Sequence, residues 1–336
     1  MKDITRIFVE TTLRKAIRDI KDSPKRSFRN LIDLGLNFAK GRFEKPFLET
    51  VQKLLQNEQS PYYDLVLDTV HNVDTDRLIT FGMNVGYNGC TLGAKKIREI
   101  EEKEKFNIPW SVSFEIDGKS YLDNEDKYLK ILTDGKDLGI YTYLVFANGN
   151  VKPTLSLAKE HEDCAFVYFC EEDYIDDGLL DEADSLNNVM FAVKYDEDMA
   201  NTLAALRMRQ MPYSIYIPYS DDNADEVITD DFYLEFEDLH PLFTALLPTL
   251  DSSETSREKV YDYVKNVRSE QRMPTILWDV YSDGKFIDGV ISERSCFAFF
   301  NKNGNIVSAN DKISNIELNI FEISIKDIFK TLFVKK

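Results

Sequence analysis

Residues 140–194 read IYTYLVFANGNVKPTLSLAKEHEDCAFVYFCEEDYIDDGLLDEADSLNNVMFAVK. Three short β-rich runs stand out in this stretch: Ile140–Phe146, Ala165–Cys170 and Val189–Lys194. Each is apolar on both sides of the strand alternation, the pattern of parallel strands covered by helices, and tyrosine within them points to an interior that is not fully dry. Between them lie segments long enough for one covering helix each. Working outward, Leu78–Val85, Ser111–Ile116, Tyr213–Pro218 and Thr275–Val280 continue the series, and the first six runs start 33, 29, 25, 24 and 24 residues apart. That near-regular period is one strand plus one helix, repeated. No dinucleotide fingerprint or topological switch breaks the series, so the pattern predicts an α/β fold, a partial or complete parallel (β/α) barrel, rather than an open doubly wound sheet. A longer helical stretch is expected between the sixth run and Thr275.

The chain ahead of the barrel reads as four helices. Ser23-Pro24 and Ser60-Pro61 are helix starts, and Ile17 and Ile20, then Phe28, Leu31, Ile32 and Leu36, then Phe47, Val51, Leu54 and Leu55 form apolar stripes at helical spacing. Behind the barrel, Gly284, Gly289 and Gly304 space out what read as short β runs, with a hairpin turn at Asn303-Gly304 and a closing helix near Ile325–Phe333. The expected division is residues 1–75 helical, 76–280 barrel and 281–336 a small β extension.

Composition limits the function classes. No apolar run approaches the roughly 20 residues that span a bilayer, and the N-terminus carries charge of both signs, so the reading is soluble and cytoplasmic. The formal net charge is −18; residues 1–45 hold 12 Lys+Arg against 6 Asp+Glu, and the remainder 29 against 53. An acidic body repels a phosphate backbone, which argues against nucleic acid. The basic N-terminal helices could dock a partner protein, or simply lie against the acidic body. Cys90, Cys164, Cys170 and Cys296 are spaced too widely for a zinc ribbon or a disulfide framework and read as buried thiols.

In parallel βα folds, functional groups gather after the strand C-termini. The loop Gly86–Thr91 follows the first run and leads into a helix; its glycines suit either close approach to a ligand or a tight turn. Carboxylates follow the later runs: Glu115 and Asp117, then Glu171, Glu172 and Asp173, then Asp196, Glu197 and Asp198, then Asp221 and Asp222. Together they could hold a cation or do acid–base work, though helix capping accounts for most of them. Glu237-x-x-His240 occurs once, and His71 and His161 stand at helix ends; none makes a metal site. Walker, Gly-x-Ser-x-Gly and His-Glu-x-x-His motifs are absent.

The order of parts resembles the radical S-adenosylmethionine (SAM) proteins, above all in the tail, where Trp278–Gly289 and Phe299–Ile306 look like the segment that carries that family's later cysteines. Those cysteines fall on Val290 and Ala309. The family's Cys-x3-Cys-x2-Cys loop falls on Gly86, Cys90 and Gly93, and its glycine-rich segment near Glu115-Ile116-Asp117-Gly118. The resemblance therefore implies a radical-SAM-like (β/α)6 TIM-type barrel that keeps one thiolate of three, too few to hold a [4Fe–4S] cluster. The expected function is a cluster-free binding or accessory protein for a small molecule, peptide or partner protein, with no cofactor and no metal. Asn84, Tyr87, Asn88 and Cys90 on the first loop, facing Glu115 and Glu171, are the ligand-binding candidates. The alternative is a divalent-metal-dependent or cofactor-independent barrel enzyme using Glu115, Glu171, Asp196 and Asp221.

Overall fold

The structure, a computed structural model, describes residues 4–39, 41–235, 237–309 and 315–335. Its strands are β1 (Ser111–Ile116), β2 (Thr142–Ala147), β3 (Ala165–Cys170), β4 (Val189–Lys194), β5 (Tyr213–Tyr219), β6 (Phe243–Pro248), β7 (Ile276–Asp279), β8 (Ala298–Phe300), β9 (Asn305–Ala309) and β10 (Asn315–Asn319). The chain divides into two compact units, one of residues 1–40, 44–79 and 191–283, the other of residues 41–43, 80–190 and 284–336.

In the first unit β4, β5, β6 and β7 pair in parallel in that order. The N-terminal helices Ile4–Asp22, Pro24–Phe38, Glu44–Leu54 and Tyr62–Asn72 form where the sequence places them. Ile32, Leu55 and Tyr63 make their shared core, lined by Phe28, Leu36, Leu48 and Val51. The Tyr63 hydroxyl donates to the Leu55 carbonyl at 2.6 Å and accepts from Arg29 Nε at 2.6 Å, so the hydroxyl is held both as donor and as acceptor. Asp68 binds both terminal nitrogens of Arg207, at 2.6 and 2.9 Å, joining this helical layer to the helix before β5.

In the second unit the strand order is β10-β9-β8-β1-β2-β3, with β8, β1, β2 and β3 parallel and β9 and β10 antiparallel. One face of this sheet carries Phe300, Phe114, Tyr143 and Phe166, stacked in a row with centroids 6.0, 6.1 and 5.6 Å apart. The helix Glu125–Leu138 covers that row through Tyr128, edge-on to Phe114 at 5.8 Å. The hairpin at Asn303-Gly304 forms as expected: Gly304 has φ +82°, and a Cβ there would lie 2.5 Å from Phe321.

Three expectations fail. Leu78–Val85 is no strand: Thr75–Gly82 is α-helical and Met83–Gly93 continues as a π-helix. A short apolar run does not separate a buried helix from a buried strand, and here the i, i+4 pair Asn84 and Asn88 spends its amides on tertiary carbonyls. The stretch before Thr275 is not wholly helical, because Phe243–Pro248 is β6. Val280–Ser292, expected as β runs around Gly284 and Gly289, is a helix whose start is capped by the Asp279 carboxylate, accepting from Ser282 N–H at 2.6 Å.

Two buried carboxyls clasp the second unit. Asp288 accepts from Trp110 N–H at 2.8 Å and Cys296 N–H at 3.3 Å; Glu101 accepts from Ile108 N–H at 2.8 Å and pairs with Lys335 at 3.0 Å. Burial pushes the Asp288 carboxyl up to about 8, outweighing the two N–H bonds, and burial raises Glu101 as well. The native state thus holds protons that the unfolded chain releases at lower pH. The stability these groups support is present below the unfolded carboxyl range and declines as pH rises toward 8, with a slope of up to about 1.4 kcal/mol per pH unit for one proton. Urea unfolding at pH 6, 7 and 8 is expected to show this decline, and Asp288→Asn to flatten it. A wild-type stability that rises across that range would rule the clasp out as its source.

Candidate functional site

The C-terminal edge of β1, β2 and β3 is where the second unit gathers unspent chemistry. By register, Ser111, Ser113 and Glu115 share a face with Thr142, Leu144 and Phe146, and with Val167 and Phe169; Phe299 pairs with Ser113 from β8. At the edge, Phe146 stacks on Phe169 at 4.6 Å and leans on Phe299 at 5.4 Å, giving an aromatic floor. Glu115 stands beside it and accepts from Asn148 Nδ2 at 2.6 Å. Two residues down β1, the Ser113 hydroxyl is buried with no hydrogen-bond partner, as is the Thr142 hydroxyl.

The turns after β1 and β2 are fastened to each other. Asn148 N–H donates to Ile116 O at 2.9 Å and Gly118 N–H to Asn150 O at 2.6 Å. A Cβ on Gly118 would itself sit 2.6 Å from Asn150 O, so only glycine fits. Asp117 caps the short helix Gly118–Leu122 through Ser120 N–H at 2.7 Å and faces Lys302 Nζ at 3.6 Å. Desolvation would raise its carboxyl, but the Ser120 bond and the lysine hold it below the usual range. Around these residues opens a cleft of about 460 Å³ lined by Asp117, Gly118, Lys119, Leu122, Asp123, Asn150 and Pro153.

The structure does not bring together the six binding candidates that the sequence suggested. Glu115 lies at this edge, and Glu171 directly follows β3, where its carbonyl accepts from Tyr174 N–H at 3.1 Å. The other four lie on the π-helix at the opposite end of the strands. Asn84 donates to Glu162 O and Cys164 O at 2.8 and 2.9 Å, just ahead of β3; Asn88 donates to Asp163 O at 2.8 Å and Asn84 Oδ1 at 2.9 Å. Both amides are buried fastenings, Cys90 is buried, and Tyr87 is half-buried. The expectation of a βα loop over residues 86–91 is corrected accordingly.

Of the carboxylates in the enzyme reading, Asp196 accepts from Asp198 N–H at 3.1 Å within its own turn, and Asp221 accepts from Ser253 N–H at 2.9 Å, tying the turn after β5 to the start of the helix Glu254–Glu270. Hydrogen bonds from Ser256 and Ser253 lower Asp221. Among the described residues no group of three or more His, Cys, Asp or Glu is placed to hold a metal ion.

Sequence reasoning missed a buried pair in the first unit. The Tyr219 hydroxyl at the end of β5 donates to Asp279 Oδ2 at 2.9 Å at the end of β7. Burial pushes Asp279 up to about 6 against its Ser282 and Tyr219 bonds. Both side chains are enclosed, so the pair locks strand ends rather than facing a ligand. The alternation Ser111-x-Ser113-x-Glu115 was the one sequence signal for a polar line along β1.

The cluster ligands implied by the resemblance can be tested on these residues. A Cβ at Gly93 would collide with Gly139 O and lie 2.9 Å from Asn88 O, so no cysteine side chain fits there, and Cys90 is enclosed. A [4Fe–4S] cluster does not fit this donor set. No described helix is long and apolar enough to cross a membrane.

No family model matches the chain, and no curated protein does. Solved structures are similar. SuiB of Streptococcus suis bound to S-adenosylmethionine aligns at 9% identity over 70% of this chain and 66% of its own, with a TM-score of 0.49. The same protein bound to its precursor peptide SuiA aligns at 10% identity over 70% and 67%, also at 0.49. The protein anSMEcpe with AdoMet and the Cp18Cys peptide aligns at 12% identity over 67% and 82%, at 0.44.

Proposed function

We propose that the chain is a cluster-free, radical-SAM-like barrel that binds a small molecule or peptide at the C-terminal edge of β1–β3 and does not cleave S-adenosylmethionine reductively. The observation that carries this reading is a separation: Cys90, the one thiol left at the cluster positions, is buried at one end of the strands, while the aromatic floor and the cleft lie at the other. Glu115 and Glu171 are the binding residues retained from the sequence, joined by Asp117, Asn148 and Asn150. Phe146, Phe169 and Phe299 would support an apolar or planar group, and the carboxylates a donor or cation on the same ligand.

Anaerobic incubation with iron and sulfide, followed by desalting, iron quantitation and a visible spectrum, tests the cluster-free half. A colourless, iron-free, folded protein is expected; stoichiometric iron with a cluster spectrum overturns it. For the binding half, S-adenosylmethionine is the first compound to try. A rise in melting temperature that Glu115→Gln or Asp117→Asn removes supports the edge as the site. A rise that both variants leave intact places the ligand elsewhere.

A further inference from the structure

We infer that the exposed face of the first two helices is a docking surface for an acidic amphipathic helix of another protein. Helices Ile4–Asp22 and Pro24–Phe38 fold back on each other through Ser23, with Ser27 Oγ donating to Asp19 O at 3.0 Å near the turn and the Phe8 and Phe38 rings 5.4 Å apart at the far end. Their inward side is spent on Ile17, Ile20 and Ile32, all buried. The outward side is not: Ile4, Ile7, Phe8 and Phe38 are 81, 47, 51 and 52% exposed, a cluster of large apolar side chains at one end of the hairpin.

The same face changes character along its length. Ile4, Phe8, Thr11, Lys15 and Arg18 succeed one another at steps of three and four, so they form one line on the helix. Toward the turn, Lys15, Arg18, Lys21 and Arg26 are exposed, with Asp19 and Asp22 among them. Lys15 and Arg18 make no ion pair among the described residues, whereas Arg14, one step off the line, is spent on Glu10 and Asp76. From Ile4 to Arg18 the line is about 21 Å long at helical rise, room for roughly four turns of a partner helix. The complement is a helix with apolar side chains over Ile4, Ile7, Phe8 and Phe38 and carboxylates over Lys15 and Arg18. An anionic membrane is a poorer match, because a continuous anionic surface would also meet the exposed Asp19 and Asp22, whereas a helix can place its carboxylates over Lys15 and Arg18 alone.

The test uses the full chain and two fluorescein-labelled 18-residue helical peptides, one with leucine and phenylalanine along a single stripe and glutamate elsewhere, the other with lysine in place of glutamate. Fluorescence anisotropy is expected to show the glutamate peptide binding at least about tenfold more tightly than the lysine peptide, weakening as salt rises. Phe8→Asp should cost about tenfold or more, and the double variant Lys15→Glu/Arg18→Glu should reverse the charge preference. All these positions are exposed, so an unchanged melting curve confirms that the variants fold. Failure to bind either peptide, equal binding of both, or retention of affinity in Phe8→Asp overturns the inference. So does co-sedimentation with phosphatidylcholine–phosphatidylglycerol vesicles in place of peptide binding, or a dimer in sedimentation velocity that Phe8→Asp dissolves, which would assign the face to a second copy.

Discussion

Gly93→Ala is expected to destabilise the protein by about 3 kcal/mol in urea unfolding, while Gly86→Ala, seven residues earlier in the same π-helix, is expected to be neutral or stabilising by up to about 1 kcal/mol. The two glycines differ in what a methyl group would meet. At Gly93 it would collide with the Gly139 carbonyl oxygen and crowd the Asn88 carbonyl oxygen at 2.9 Å and the Tyr141 ring at 3.1 Å; two of the three are backbone and cannot swing away. At Gly86 there is nothing within 4 Å, so alanine only removes glycine's excess freedom in the unfolded chain. Both are positions where the family resemblance places cluster thiolates, which gives the pair its force. If Gly93→Ala unfolds at the wild-type midpoint, the π-helix is not pressed against the turn before β2, and the steric objection to a thiolate at that position falls with it.

The second large effect is expected at Asp283. Its carboxylate, 9% exposed, accepts from both terminal nitrogens of Arg268 at 2.8 and 2.9 Å, from the Tyr261 hydroxyl at 3.2 Å and from Asp279 N–H at 3.1 Å. Asp283→Ala leaves a largely enclosed guanidinium without its counter-charge, and a loss of about 3–5 kcal/mol is expected. The double variant Arg268→Met/Asp283→Leu should recover much of that loss, because removing both charges also removes the desolvation penalty that either one alone must bear. Thermal and urea unfolding of the two variants would check this. A single variant as stable as wild type would mean that water already solvates Arg268.

Much of the fold was legible because short aromatic and β-branched runs bounded by polar residues leave few choices. Ser111–Ile116, Ala165–Cys170 and Val189–Lys194 form strands with the bounds the sequence suggested. The failures share a cause. Met83–Gly93 contains Gly86, Gly89 and Gly93, and its identity as a helix depends on a close approach to Gly139 and on amide bonds to residues 162–164, contacts that no local pattern encodes. Phe243–Pro248 lies just after Pro241, ends on a proline, and gains its strand character from parallel neighbours on both sides. At the candidate site, Glu115 was visible as a carboxylate closing a strand. The aromatic floor was not, since Phe299 reaches it only through the pairing of β8 with β1. Asn84 and Asn88 looked like binding residues because exposed amides in a glycine-rich loop would be; tertiary folding turned both inward.

That pairing of β8 with β1 also bears on how the protein is made. Phe114 and Phe300 are register partners, so the sheet of the second unit cannot be finished until residue 300 has left the ribosome. At roughly 5–20 residues per second, β1 waits on the order of 10–40 s with its flank unpaired. During that interval an apolar strand edge is open to pairing with other nascent chains. Aggregation that worsens as elongation slows, and that is relieved by fewer chains being made at once or by a chaperone that shields the edge of β1, is the consequence to look for.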